Sequence, residues 1–481
     1  MAMLKESFTN SCCIAICLTS FMLFTGVSIS FAQYRIGANY GQIANNLIPP
    51  GEVLKLIKSS SIGKVKLYNA DPGILRTFAG SNIPIVVGIG NEIISSLTDP
   101  SVAQKWVDQN VAAYLPGTPI SGIAVGNEVL TSNDAQLSSH LVPAMKNLHT
   151  ALIYLGLDER LKVSTPHSLG VLSISYPPSA GSFRSDIATS AMKPVLDFLS
   201  RTGSAFMVNA YPFFAYKSNP TNVSLDYCLF RAATGITDPN TNLIYTNMLD
   251  AMVDAVYSAM DSLGYNGVGI VVSETGWPSS GDENETGASV ENAMSYNRNL
   301  IAHLSSGKGT PLKPDASTEA FIFALFNENQ KSGPSSERNY GLFTPSGLPV
   351  YDAGLVRSSP SAAGSPSSQA PESNSSHEAA WCIAKNETDA SVLLSGINFA
   401  CGVGGADCSA IQSSGSCYDP PTLASHASYA YNDYYQKRGR NPWNCDFDGT
   451  AVVSTTDPSK YNRHFETRTC SIQIRFSQAI S

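Results

Sequence analysis

The chain has 481 residues, 43% of them hydrophobic, 14% charged, with a formal net charge of −8. That is too long for one ordinary compact domain and about right for a large barrel followed by a smaller module. The acidic balance excludes a basic surface for nucleic acid or anionic lipid, and a polar, weakly charged composition fits a neutral partner such as a polysaccharide.

No charged residue lies between Glu6 and Arg35. An apolar run, Cys12 to Ala32, follows Lys5 and ends on Ser30-Phe31-Ala32, small residues at the −3 and −1 positions of a cleavage site. Residues 1–32 therefore read as a signal peptide, with an uncleaved anchor helix as the rival, and the mature chain is expected to begin near Gln33. Cys12, Cys13 and Cys17 then fall away. No later segment is apolar and long enough to span a bilayer, and the tail 471–481 is too short and polar for a lipid-anchor signal. Asn222, Asn284, Asn374 and Asn386 each open an N-x-Ser/Thr sequon.

Residues 33–356 alternate apolar runs with amphipathic stretches. Eight runs suit buried parallel strands: Arg35–Tyr40, Val65–Asn69, Pro84–Gly90, Gly122–Asn127, Leu161–Thr165, Ala205–Tyr211, Gly269–Glu274 and Ala320–Asn327. Between them apolar residues step by three and four, as in Ala103, Trp106, Val107, Val111 and Tyr114, in Leu141, Met145, Leu148, Leu152 and Leu155, and in Leu249, Met252, Val253, Val256, Met260 and Leu263. Eightfold alternation predicts a (β/α)₈ TIM barrel with its active site at the C-terminal ends of the strands; a doubly wound open sheet is the alternative. Gly88-Ile89-Gly90 lacks the third glycine of a dinucleotide loop. Residues 357–377 are Ser, Ala and Pro with almost no apolar bulk, and are expected to form a flexible linker. Residues 378–470 hold six of the seven mature cysteines.

Two strand ends carry glutamates, Gly126-Asn127-Glu128 on the fourth predicted strand and Ser273-Glu274-Thr275 on the seventh. Carboxyl groups facing each other across a barrel mouth can flank a glycosidic bond, one protonating the leaving oxygen and the other meeting the oxocarbenium-like centre. A glutamate after a strand can equally serve a helix N-terminus. Gly90-Asn91-Glu92 repeats the triplet after the third strand, so spacing alone does not separate Glu92 from Glu128.

Several stretches over residues 34–355 together resemble the plant glycoside hydrolase family 17 β-1,3-glucanases: Ile36–Gln42 with Asn45-Asn46-Leu47, Val65–Asn69, Ile123–Glu128, Asn209–Phe213, Val272–Pro278 and Phe323–Lys331. The resemblance implies Glu128 as acid/base and Glu274 as nucleophile, on strands four and seven, and sets Glu92 aside. It implies supporting roles for Glu319 and Glu328. Tyr40, Tyr68, Tyr211, Trp277 and Phe326 are candidate sugar contacts, because an aromatic face suits the C–H face of a glucosyl ring, though the same rings can plug the barrel top. Asn127 and Asn209 are candidate partners of sugar hydroxyls, with backbone capping as the plainer role. No metal-ligand spacing, cofactor motif or serine nucleophile elbow is present, and His167 reads as a structural histidine.

Cys382, Cys401, Cys408, Cys417, Cys445 and Cys470 imply three disulfides, with 15 possible pairings, in a module too small to rest on its core alone. Trp381-Cys382, Ala400–Gly402, Ala406–Ser409, Ala427–Tyr435 and Cys445–Ala451 make this region resemble the plant X8, or family 43, carbohydrate-binding module. That resemblance implies a disulfide-rich, mostly α module, the pairs Cys382–Cys445, Cys401–Cys408 and Cys417–Cys470, and binding of β-1,3-glucan. Tyr429, Tyr431, Tyr434 and Tyr435 lie at helical spacing, which favours core over sugar platform. Cys228 is expected to be a buried thiol. The expected protein is a secreted, monomeric, glycosylated cell-wall enzyme that hydrolyses β-1,3-glucan internally with retention. A callose-binding protein without catalysis and a transglycosylase are the alternatives.

Overall fold

The computed structural model describes residues 35–132, 134–355, 380–385, 388–402, 405–419, 421–437, 440, 442–445, 447 and 449–456. The expected signal peptide, linker and tail, with Asn374, Asn386 and Cys470, lie outside the described residues. The chain divides into two compact units on either side of residues 359–360.

The first unit contains β1 (Ile36–Tyr40), β2 (Lys64–Leu67), β3 (Ile85–Ile89), β4 (Ile120–Val125), β5 (Lys162–Ser164), β6 (Pro166–Ser168), β7 (Phe206–Asn209), β8 (Ile270–Thr275) and β9 (Ala320–Ile322). Neighbours pair in parallel in the order β5-β4-β3-β2-β1-β9-β8-β7-β6. Only Thr165 separates β5 from β6, so the two form one broken stave that pairs with β4 on one side and β7 on the other. The ring is thus an eight-staved (β/α)₈ barrel.

Its outer layer includes α1 (Pro50–Lys58), α2 (Pro72–Thr77), α3 (Pro100–Asn110), α4 (Ala135–Tyr154), α5 (Lys193–Thr202), the short α6 (Pro212–Ser218), α7 (Met248–Ser262) and α8 (Val290–Ser305). Starts are marked by side chains that accept from first-turn amides: Asp71 for α2, Asp99 for α3, Asp134 for α4, Asn247 for α7 and Ser289 for α8. Their apolar stripes, such as Leu141, Met145, Leu148 and Leu152 of α4, are fully buried against the staves.

The eighth stave is shorter than the apolar run Ala320–Asn327 predicts. After Ile322 the regular pairing breaks up: Phe323 N–H still donates to Thr275 O (2.7 Å) and Leu325 N–H to Asn39 O (2.9 Å), but Ala324 N–H donates to Tyr340 O (3.0 Å) and Leu342 N–H to Ala324 O (2.8 Å). Phe326 joins Phe343 only by an isolated bridge.

In the second unit β10 (Trp381–Ala384) pairs antiparallel with β11 (Ala451–Ser454), and α9 (Ala390–Cys401) and α10 (Leu423–Lys437) complete a small, mostly helical core. Cys382–Cys445 and Cys401–Cys408 are bonded as expected; the Cys417–Cys470 pair involves a residue outside those described. Tyr431 is buried and stacked on Phe447 at 3.7 Å, and Tyr435 is buried too. Both belong to the core, as their helical spacing predicts.

Candidate active site

The C-terminal stave ends converge on two carboxyl groups held very differently. β8 places Glu274, 5% exposed, as the register partner of Asn209 on β7. Its Oε1 accepts from Tyr68 Oη at 2.7 Å and from Lys66 Nζ at 3.1 Å, and its Oε2 accepts from Tyr211 Oη at 2.8 Å. Three donors, one of them cationic, converge on this carboxylate. Lys66 is 1% exposed and lies 4.2 Å over the Tyr68 ring. Burial lowers its pKa, opposed by Glu274, and burial raises those of Tyr68 and Tyr211.

Glu128 leaves β4 through a sharp turn. Gly126 and Glu128 both adopt left-handed backbone, with φ of 65° and 56°. For a glutamate this costs about 1–2 kcal/mol. The conformation is held by Glu128 N–H donating to Pro166 O (2.9 Å) and by Asn91, whose side chain accepts from Asn127 N–H (2.8 Å) and donates to Asn127 O (3.0 Å). The half-buried Glu128 side chain accepts from Asn209 Nδ2 at 2.9 Å. Its pKa is raised, first by burial and then by the charge of Glu274, while the Asn209 hydrogen bond and Lys66 pull it back. One carboxyl is thus biased toward keeping a proton, and the other is surrounded by donors. This is the asymmetry acid-assisted cleavage of a glycosidic bond requires.

The structure also separates the repeated triplets. Glu92 sits in a 3-10 turn, Asn91–Ile93, directly after β3, on the wall of a cavity of about 360 Å³ that Lys66, Tyr68, Asn69, Asn91 and Asn127 also line. Glu128 is the one held by Asn209.

Several sequence-level assignments need correction. Glu319 precedes β9, so it lies at the opposite, N-terminal end of the barrel, in an ion pair with Lys64 at the start of β2. Trp277 is fully buried, donating Nε1–H to Gly287 O (2.8 Å) and packing on Phe213 and Tyr296. Tyr40 and Phe326 are each 2% exposed and meet edge to face, so neither offers a free ring to a sugar. Asn209, equally buried, serves Glu128, Asn127 Oδ1 (3.3 Å) and Ser273 Oγ (2.7 Å) instead of sugar hydroxyls. Tyr68 and Tyr211 are half-buried, their hydroxyls committed to Glu274. Glu328 is buried, accepting from Ile43 N–H at 2.7 Å with Lys331 at 3.6 Å, and so braces the loop after β1. Asn127 remains half-buried on the cavity wall.

Sequence reading missed Lys66, Lys331 and Glu337. Lys66 sits in Val65–Asn69, where a lysine inside an apolar run is itself a signal of a buried partner. Lys331 Nζ lies 4.1 Å over the Phe323 ring, and Glu337 has its pKa raised by burial, within the fields of Lys331 and Glu274. His167 is fully buried and stacked on Phe206, with burial lowering its pKa to about 3. Cys228 is a buried free thiol. Among the described residues no group of three or more His, Cys, Asp or Glu is placed to hold a metal ion, and no helix is long and apolar enough to cross a membrane.

Comparison with known proteins identifies the family. A glucan endo-1,3-β-glucosidase of Arabidopsis thaliana is 49% identical over 434 residues, covering 90% of this chain and 84% of that protein. A glucan endo-1,3-β-D-glucosidase of Olea europaea is 43% identical over 440 residues, covering 91% and 95%. Among solved structures, a β-1,3-glucanase and allergen of Cryptomeria japonica pollen superposes with a TM-score of 0.63 at 45% identity, over 66% of this chain and 98% of that one. Residues 380–452 match the X8 domain. Residues 36–354 match Glycosyl hydrolases family 17, and the chain belongs to that family.

Proposed function

We propose that the protein hydrolyses internal β-1,3-glucosidic bonds of β-1,3-glucan with retention of anomeric configuration. Glu128 protonates the departing glycosidic oxygen while Glu274 attacks the anomeric carbon. Glu128 then takes a proton from the water that releases the glycosyl group from Glu274. The observation that carries this reading is the unequal equipment of the two carboxyls: burial and a neighbouring anion favour the protonated form of Glu128, whereas Tyr68, Tyr211 and Lys66 donate to Glu274. The names of the relatives supply the linkage.

Residues 33–356 are the catalytic domain, 357–377 the tether and 378–470 the module that keeps the enzyme, a monomer, on its polymer. Secretion to the cell wall is supported by the composition of residues 1–32 and by sequons at Asn222 and Asn284, both exposed.

The test is product analysis on laminarin. The expected result is a ladder of oligosaccharides whose new reducing ends appear first as the β-anomer by NMR. Glu274→Ala is expected to fold, still bind glucan and lose cleavage. First appearance of the α-anomer, or undiminished turnover by Glu274→Ala, rejects the mechanism. Well-folded wild type that binds without cleaving reduces the protein to a glucan-binding role.

A further inference from the structure

The loops after β7, β8 and β9 meet above the barrel around a buried carboxylate outside the reacting pair. Glu285, 3% exposed, accepts four hydrogen bonds. Its Oε1 takes Lys217 Nζ (2.8 Å) and Ser336 Oγ (2.6 Å); its Oε2 takes Ser336 N–H (3.0 Å) and Asp282 N–H (3.1 Å). Lys217 is in α6, on the loop after β7; Asp282 and Glu285 follow β8; Ser336 follows β9. Asp282 repeats the pattern on the preceding residue, accepting from Ser335 Oγ (2.6 Å) and Ser335 N–H (3.1 Å). The same two loops are joined further along by Ser279 N–H to Asn339 O (2.8 Å).

This knot brackets one short turn, Ser335–Arg338, which contains Glu337. Tyr340 follows that turn, its ring edge-on to Tyr211 at 5.8 Å, and Tyr211 Oη donates to Glu274 Oε2 at 2.8 Å. We infer that Glu285 is a positioning residue: through Ser336 and Lys217 it holds the loop after β9 so that Tyr340 stays packed on Tyr211, the donor to Glu274 Oε2. The inference rests on the role proposed for Glu274. The saturated, ionised state of the knot fits it, since the hydrogen bonds hold the Glu285 carboxyl down at about 2 against the opposing effect of burial. Removing the carboxylate strands the half-buried Lys217 ammonium and the Ser336 amide together, so the loops lose a shared anchor, not a single contact.

The test uses the full chain with steady-state kinetics on laminarin and thermal unfolding of each variant. Glu285→Ala is expected to lower kcat at least about tenfold with KM changed less than about threefold, since positioning acts on the transition state. Lys217→Met is expected to lower kcat less, and Lys217→Arg, which keeps the cation, to restore it. Should Glu285→Ala not fold, the Lys217 pair decides. A kcat within about twofold of wild type in folded Glu285→Ala, or equal kcat in Lys217→Met and Lys217→Arg, overturns the inference. Glu274→Gln is run alongside: its activity rejects the site itself, whereas inactive Glu274→Gln beside unaffected Glu285→Ala rejects only the positioning role.

Discussion

Asn209 stands between the two carboxyl groups, its side chain bonded to Glu128 and its backbone in register with Glu274. The amide it gives Glu128 stabilises the charged form of a group whose protonated form the proposed mechanism uses. Glu128 has a raised pKa, and activity that needs its proton is lost as pH rises through that value. Removing the Asn209 donor raises the pKa further. Asn209→Ala is therefore expected to move the alkaline limb of the kcat/KM profile to higher pH, while loss of positioning lowers kcat roughly 10- to 100-fold. An alkaline limb that stays fixed or moves down contradicts this account of Glu128. Lys66 poses a different problem, because a 1% exposed ammonium tolerates burial only with its partner in place. Lys66→Met leaves Glu274 without its cation and is expected to cost about 3–5 kcal/mol of stability by denaturant unfolding, together with kcat. Stability unchanged within about 1 kcal/mol would show the pair to be offset by its desolvation.

At the scale of elements, what the sequence made legible follows from how strands are buried. Parallel staves covered on both faces read as apolar runs, so all eight were found with ends shifted by a few residues. The polarity of a strand was legible too, and Glu319 is misassigned because it precedes its stave: all parallel strands begin at the same end, where Lys64 waits for it. Illegible were features that depend on backbone leaving a pattern. Nothing in the run Ala320–Asn327 announces that Ala324, Leu325 and Asn327 exchange backbone bonds with Tyr340–Phe343, beside which Phe326 is buried. Trp277, Tyr40 and Phe326 look alike as aromatics near stave ends; only packing decides which ring keeps a free face. Glu128 and Glu92 share a triplet and differ in φ, a property spacing does not encode. In the module the disulfides differ by loop length: 63 residues separate Cys382 from Cys445, and 7 separate Cys401 from Cys408. Chain-entropy reasoning makes the longer closure worth about 2 kcal/mol more. Thermal unfolding of Cys382→Ser/Cys445→Ser is thus expected to show a larger loss than Cys401→Ser/Cys408→Ser; the reverse order would place the stabilisation in local packing.

For the whole molecule, the two units have separate buried cores, one around the staves and their helices, the other around Tyr431, Tyr435, Phe447 and the bonded cysteines. A barrel with its own core and both proposed reacting groups, Glu128 and Glu274, needs nothing from the second unit to cut a glucan that diffuses freely. A polymer held in an insoluble wall does not diffuse, and there the rate depends on how long the enzyme stays at its surface. A module that binds the same polymer converts each encounter into many, by raising the effective concentration of the barrel at the glucan. A chain lacking residues 360–481 is therefore expected to keep kcat/KM on soluble laminarin within about twofold. On insoluble β-1,3-glucan it is expected to lose roughly 10- to 100-fold, with a matching loss of protein in the glucan pellet. Equal losses on both substrates would mean that the second unit supports the barrel's fold instead of its residence, and thermal unfolding of the shortened chain would then fall in parallel.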